Sequence, residues 1–459
     1  MSREDSNMAE VAPFRAVRYN RDKVSSLSKV VIPPYDVIKP EEQEAFYQAE
    51  PHNFIRLELN KARKTDTAQD NIYTRAAQHF NDWLAEGALL RDGRPAFYIN
   101  ETTYVDAEGR TQTRKGFLTL LKVEEFSSGV VLPHEKTFTG HKEDRLKLTK
   151  AARANLSPIF ALYPDEANEV QGVLEGARRA EPLADFQDAA GLTQRLYAVD
   201  DAQACQAVQR LMMDKAIFIA DGHHRYETAI NYRNHMREQH PDRGETAAFN
   251  YVMVYLCSMS DPGLTVFPCH RMLPVLGGFD SRDFLPLAKN WFNYQEIPIQ
   301  GDPAQARRKL AEALAAAGTK RPSFGLASRE SDSYYVLSLK VGMRRTGPLQ
   351  NVEPALRDLD VVVLSDLVLE HILGLDNMAT DQIHTIKYIS NMNEALDDVA
   401  SGRAQAVFLM NPTKVSQVEA IAKQGLVMPR KSTYFYPKVS AGLTVNLIVP
   451  EEDVPTCRD

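Results

Sequence analysis

The stretch Ala216-Ile217-Phe218-Ile219-Ala220-Asp221-Gly222-His223-His224-Arg225-Tyr226-Glu227-Thr228-Ala229 decides how this chain is read. Its first five residues are small or apolar, which predicts a buried strand too short to be an ordinary helix. Asp221-Gly222 predicts a sharp turn, since glycine tolerates the dihedrals that close one. Tyr226, Ala229 and Ile230 then fall at helical spacing, so a helix is expected from Tyr226 onward. A strand, a tight polar turn and a helix N-terminus gather unpaired backbone N–H groups and partial positive charge at one point, which suits an anion. The same point carries an acid, two imidazoles and a guanidinium. Arg225 has the planar fork that clamps a phosphate or carboxylate, and Asp221 can hold a metal or accept a hydroxyl proton. The competing reading is a solvated turn closed by a local Asp–Arg pair.

Outward from this stretch, the 459 residues exceed one core and predict two or three domains. With 44% hydrophobic and 25% charged residues, the composition is that of a globular protein. A net charge of -7 opposes nucleic acid as the principal partner. There is no membrane-length apolar run and no signal-peptide core, so a cytoplasmic protein without a membrane partner is expected. Cys205, Cys257, Cys269 and Cys457 form no C-x-x-C, and the first three sit in or beside apolar stretches, as reduced buried thiols would. The expected organisation is a disordered lead-in at 1–13, an N-terminal α+β domain at 14–170, a core at 171–277 and a C-terminal α/β domain at 278–459 that folds back on the core.

Pro33-Pro34 imposes an extended path that presents Tyr35 and Asp36 from a stiff loop, a candidate substrate loop. Ile72, Ala76, Phe80, Trp83 and Leu84 mark an amphipathic helix stopped by Gly87, and a hairpin is expected around 106–109. Leu132-Pro133-His134-Glu135-Lys136-Thr137 and Gly140-His141-Lys142-Glu143-Asp144-Arg145 crowd both charge signs into what reads as a loop. In it, Glu135, assisted by His134, is expected as an acid/base and Lys136 as a phosphate contact; the spacing His134, Glu135, His141 is not the metalloprotease pattern. Residues 166–209 read as a helical and mixed linker. Arg271, on a strand after a turn at 261–264, is either a second phosphate ligand or a surface residue. Met428-Pro429-Arg430-Lys431-Ser432-Thr433-Tyr434-Phe435-Tyr436-Pro437-Lys438 interleaves cations and aromatics, which can stack a base and hold its phosphates, with Lys431 and Lys438 as the candidates. Complementary charges at 133–145 and 221–225 predict one cleft. No P-loop, dinucleotide fingerprint, nucleophile elbow or kinase catalytic loop is present.

Pro-Pro-Tyr-Asp-Val-Ile (33–38), Pro-His-Glu-Lys-Thr (133–137), Ala-Asp-Gly-His-His-Arg-Tyr-Glu-Thr-Ala (220–229) and the 428–438 stretch together resemble the bacterial and archaeal family catalogued as domain of unknown function 1015. That label carries no activity. Asp221-Gly222-His223-His224-Arg225 also resembles the phosphate-binding turn of the ParB/sulfiredoxin superfamily, in the form seen in archaeal free-serine kinases. This likeness implies a ParB/sulfiredoxin-like core within mixed sheets of an α+β protein. It places Asp221 near the hydroxyl or the metal, and Gly222, His223, His224 and Arg225 along the phosphates. The expectation is an enzyme that binds ATP or ADP with Mg²⁺ and phosphorylates a small hydroxylated metabolite, serine-like at first guess. A phosphatase using the same site and a non-enzymatic nucleotide switch are the alternatives; a homo-oligomer is possible.

Overall fold

Most of the alternating or continuous apolar runs in the first 265 residues become strands of one large sheet, while Val17–Tyr19, Leu89–Arg91 and Ala154–Asn155 pair outside it. In this computed structural model, residues 9–106, 109–135, 139–275, 279–375 and 386–456 are described. They form two compact units. The first comprises Met1–Pro133, Thr137–Thr265 and Pro437–Asp459, the second His134–Lys136 and Val266–Tyr436.

The sheet of the first unit contains β1 (Val11–Ala12), β2 (Phe97–Val105), β3 (Thr111–Lys122), β4 (Val131–Leu132), β5 (Ile159–Tyr163), β6 (Ala184–Gln187), β7 (Thr193–Val199), β8 (Ile217–Asp221) and β9 (Tyr251–Ser258). Its order is β4-β8-β5-β9-β3-β2-β7-β6, with β1 alongside β3. β8 runs parallel to β4 and β9 parallel to β5, while the other pairs are antiparallel. The amphipathic helix expected near 70–84 is α1 (Ile72–Ala85), and Ala76, Phe80 and Trp83 are its buried stripe. The helices α2 (Glu169–Ala177), α3 (Ala202–Met212) and α4 (His223–Gln239) share a core with one face of the sheet. That core joins Phe117, Ile159, Ala161, Ile219, Val254 and Leu256 to Leu174, Val208, Met212, Tyr226 and Ile230. Full burial of each such side chain contributes about 1.5–3 kcal/mol, so this face has no room for polar chemistry.

The opposite face is set by register. Asp221 pairs with Phe160, Phe160 with Tyr255, and Tyr255 with Leu118. Alternation along β3 adds Gly116 and Arg114 to the same face. Asp221 reaches this face through a register shift between Ile219 and Asp221, where Ile219 pairs with Ala161 but Asp221 already pairs with Phe160. The extra residue turns Asp221 away from the apolar side on which Ile219 is buried, a use to which bulges are commonly put.

The second unit carries β10 (His270–Pro274), β11 (Phe292–Pro298), β12 (Ser323–Ser328), β13 (Ser333–Leu339), β14 (Lys387–Ile389) and β15 (Ala404–Met410), in the order β11-β13-β12-β15-β10-β14. α5 (Pro303–Gly318) and α6 (Met392–Ala400) add Leu310, Leu314, Ala395 and Leu396 to its core. The pairings within this six-stranded sheet are antiparallel, so this domain is α+β rather than the expected α/β.

Several expectations are corrected. The boundary at 170 falls inside one sheet, because β7 and β8, read as parts of a linker and a separate core, pair with β2 and β5. The boundary at 278 moves to 266, and residues 437–459 return to the first unit. Tyr35–Val37 is a short 3-10 turn rather than an extended loop. Residues 139–152 are helical, as their Lys, Glu, Arg and Leu content favours, so Asp144 and Arg145 stand on a helix. Cys205, Cys257 and Cys269 are buried, and burial pushes the Cys205 thiol up to about 11 and Cys257 higher still. The lead-in up to residue 8, Lys136, Thr137 and Cys457 lie outside the described residues, as do the side chains of 139–141. No described helix is long and apolar enough to cross a membrane.

Candidate functional site

The turn after β8 has the expected form, but α4 starts three residues earlier than the apolar spacing suggested. His223, His224 and Arg225 make its first turn, with His223 buried. Gly222 is the N-cap at φ +91°. A Cβ there would lie 2.8 Å from Arg225 Nε and 3.0 Å from its Cζ, so the guanidinium folds back against the glycine. From that position Arg225 Nη2 donates to Asp221 Oδ2 at 2.7 Å, and Nη1 donates to the Pro158 carbonyl. Lys438 Nζ donates to the other carboxylate oxygen, Oδ1, at 2.5 Å.

Two cations therefore hold one acid at the positive end of a 17-residue helix. Burial alone would push the Asp221 carboxyl up; the Lys438 and Arg225 charges outweigh it and hold the carboxyl well below the usual carboxylate range. Burial works against the Arg225 charge, yet Asp221, Asp36, Tyr35 and Glu58 together raise its pKa. Tyr35 and Asp36 thus lie within electrostatic reach of Arg225. Burial pushes the Tyr35 phenol up to about 12, against the opposing charges of Arg225 and Arg145.

Arg145 lies over the Tyr35 ring at 4.2 Å and pairs with Glu58 at 3.2 Å and Asp144 at 2.6 Å. A cavity of ≈ 40 Å³ is lined by Glu58, Arg145, Asn155, Ser157, Arg225 and Thr228, among others. Lys142 pairs with Glu227 of α4 at 2.6 Å. The 139–145 segment and the 221–225 turn are therefore neighbours within the first unit. Arg114, Arg145 and Glu58 were not singled out from sequence. Arg145 had a signal in the charge crowding at 140–145, whereas Arg114 sits in a strand with no local mark.

His134, Glu135, Arg271 and Lys431 belong to the second unit and form a different arrangement. His134 is fully buried, with Nε2 2.9 Å from Thr433 Oγ1. The Glu135 carboxylate accepts from the backbone N–H groups of Lys431, Ser432 and Thr433 at 3.2, 3.0 and 3.2 Å, and from the Thr433 hydroxyl at 3.2 Å. This pins a turn in which Lys431 has φ +55°, and both carboxylate oxygens are occupied by these donors. The acid/base role expected for Glu135 is replaced by an anchoring one. Arg271 is neither on the surface nor placed as a ligand: it is buried, donates to the carbonyls of Cys269 and Arg430, and lies 4.9 Å from the Tyr388 ring. Phe267 stacks with Tyr436 at 4.6 Å and Tyr434 at 6.4 Å, so the aromatics of 434–436 pack on the chain itself.

Asp221 as a resident metal ligand does not fit this arrangement. An ammonium and a guanidinium face its two oxygens, and they repel a divalent ion. Among the described residues, no three His, Cys, Asp or Glu side chains gather as a metal site.

A free serine kinase mutant bound to AMP is similar at 14% identity, covering 71% of this chain and 91% of that one, with a TM-score of 0.35. Another mutant of that kinase bound to ADP matches at the same identity, coverage and TM-score. SbnI from Staphylococcus aureus, truncated at its C-terminus, shows 10% identity over 74% of this chain and 90% of that one, with a TM-score of 0.34. Scores this low carry no weight for function. No curated protein matches the chain. Residues 11–362, which include the 33–38, 133–137 and 220–229 motifs but stop short of 428–438, match one family profile across most of the sequence, and the chain belongs to that family, described as Protein of unknown function (DUF1015).

Proposed function

We propose that the chain binds the phosphates of ATP or ADP at the Asp221-Gly222-Arg225 turn and transfers a phosphoryl group to a small hydroxylated metabolite. The observation that carries this reading is the pairing of both Arg225 and Lys438 with the single carboxylate of Asp221 at the N-terminus of α4. A phosphate entering there exchanges one counter-ion for another, so neither cation is left buried and unpaired. Arg225 offers the fork, Lys438 a point charge, and Gly222 lets backbone and phosphate approach closely. Transfer chemistry of this kind rests mainly on positioning and charge neutralisation, which this set supplies. Tyr35 and Asp36, within electrostatic reach of Arg225, are the residues assigned to the acceptor, for which serine is the first candidate. Mg²⁺ arrives on the nucleotide phosphates rather than on a resident carboxylate.

The test is phosphorus NMR of the full chain with ADP or ATP, Mg²⁺ and serine or a related hydroxylated metabolite. A new phosphoester signal supports the kinase reading. Phosphate release from a phosphorylated metabolite alone makes it a phosphatase, and saturable binding with no turnover makes it a nucleotide switch. Absence of any nucleotide binding refutes the site assignment.

A further inference from the structure

Arg114 is fully buried, at 0% exposure, and among the described residues its guanidinium makes no direct ion pair, with Asp261 within electrostatic reach. Its Nη1 donates to the Pro437 carbonyl and its Nε to the Tyr255 hydroxyl at 3.2 Å. Its Cζ lies 4.7 Å from the Phe160 ring and 4.9 Å from the Tyr255 ring. Nη2 is buried with no hydrogen-bond partner among the described residues. Among the described residues, no carboxylate lies within 4.0 Å of this guanidinium. Buried charges are ordinarily paired and buried donors ordinarily satisfied, so an arginine with neither condition met requires a reason.

Its position supplies one. Arg114 stands on the same sheet face as Asp221, separated from it by Phe160, which is the direct cross-strand partner of Asp221. The Pro437 carbonyl that Arg114 holds immediately precedes Lys438, which holds Asp221. Arg225, Lys438 and Arg114 thus bring three cations to this side of the sheet, and Asp221 pairs with the first two.

We propose that Arg114 is the innermost anion contact of the site, with Nη2 taking a phosphate oxygen of a nucleoside polyphosphate whose other oxygens face Lys438 and Arg225. This rests on the nucleotide-phosphate reading given above. Because Arg114 is fully buried, a phosphate reaches it only when a neighbouring segment shifts, and Pro437–Lys438 is the segment bonded to both Arg114 and Asp221. Binding then trades the Lys438–Asp221 pair for contacts to phosphate, and the Arg114 guanidinium gains a directly bonded counter-ion.

The experiment uses the full chain with Mg-ADP and, separately, inorganic pyrophosphate, read by calorimetric titration and thermal unfolding. Arg114→Met is expected to change the melting temperature of the ligand-free protein only modestly, since removing a buried charge offsets the lost bonds to the Pro437 carbonyl and the Tyr255 hydroxyl. Its affinity for both probes should fall roughly 10- to 100-fold. A merely structural arginine gives the reverse, a large drop in melting temperature with affinity retained, and that result overturns the proposal. Should Arg114→Met not fold, Arg114→Lys keeps the charge but cannot serve the Pro437 carbonyl and a phosphate together. Weaker binding by this variant supports the proposal, and unchanged binding overturns it. If the unaltered chain binds neither probe, the nucleotide reading itself fails, whereas binding that is equal in the unaltered chain and both variants removes only the role of Arg114.

Discussion

Gly222→Ala tests the architecture of the turn most directly. An L-residue at φ +91° costs about 1–2 kcal/mol from the clash of its Cβ with the backbone. The new Cβ would also lie 2.8 Å from Arg225 Nε and 3.0 Å from Cζ and Nη2, so the guanidinium must lift. Lifting it breaks the 2.7 Å bond to Asp221 and the bond to the Pro158 carbonyl. The two side chains are 10% and 16% exposed, so this is not a surface pair with little to lose. Lys438 still neutralises Asp221, which limits the loss to that of a charge-assisted hydrogen bond, about 1.5–3 kcal/mol. The expected total is about 2.5–5 kcal/mol. Each unit carries one tryptophan, Trp83 in the first and Trp291 in the second, so urea unfolding in a Trp291→Phe background reports the unit of interest. The decisive measurement is a cycle with Arg225→Ala. Once Arg225 is gone, only the backbone cost of Gly222→Ala should remain, leaving a coupling of about 1.5–3 kcal/mol. Costs that add to within about 0.5 kcal/mol would show that the guanidinium does not depend on the glycine.

Arg225→Lys keeps the charge and loses the fork, so nucleotide affinity should weaken roughly ten- to a hundredfold in calorimetric titration, and unchanged affinity refutes the clamp. Asp221→Asn leaves Lys438 and Arg225 without their counter-ion; it should bind ADP at least as tightly as the unaltered chain while losing turnover, and weaker binding counts against phosphate exchange at this carboxylate. The same variant bears on pH. Because the folded Asp221 carboxyl lies well below its unfolded value, its stabilisation is present above about pH 4 and lost as pH falls through the folded value, so Asp221→Asn should be less acid-sensitive than the parent. Asp360 shows the opposite sign: burial pushes its carboxyl up to about 6, so its share of stability is complete below about pH 4 and disappears as pH rises through 6. Asp360→Asn should flatten that slope in melting temperature measured against pH, and an unaltered slope would place the titration elsewhere.

The strand, turn and helix at 216–239 were legible because each signal is local. The helix start was misplaced because His223, His224 and Arg225 carry no apolar periodicity, although they are its first turn. β7 was hidden for a related reason: Thr-Gln-Arg-Leu-Tyr-Ala-Val mixes polar and apolar residues, and only its pairing with β2 reveals an inner strand. Lys438 was a candidate from the composition of 428–438, but its partner lies 217 positions away and no spacing rule connects them. Glu135 shows the converse limit, since a carboxylate that captures three backbone N–H groups and one poised as a base look alike in sequence. The direction of Asp221 depends on a register shift, which is a property of two paired strands rather than of either alone.

The return of residues 437–459 to the first unit also orders events during synthesis. The second unit's main segment, 266–436, is 171 residues long (436 − 266 + 1) and is made before that return. At about 5–20 residues per second, the ribosome spends about 10–30 s on it. Throughout that interval the nascent first unit lacks Val439, Ala441, Leu443 and Val445, all buried in the finished protein. Asp221 and Arg225 can meet early, being four residues apart, but the ammonium of Lys438 arrives late. The Lys438–Asp221 contact therefore forms only after the second unit's main segment has been made.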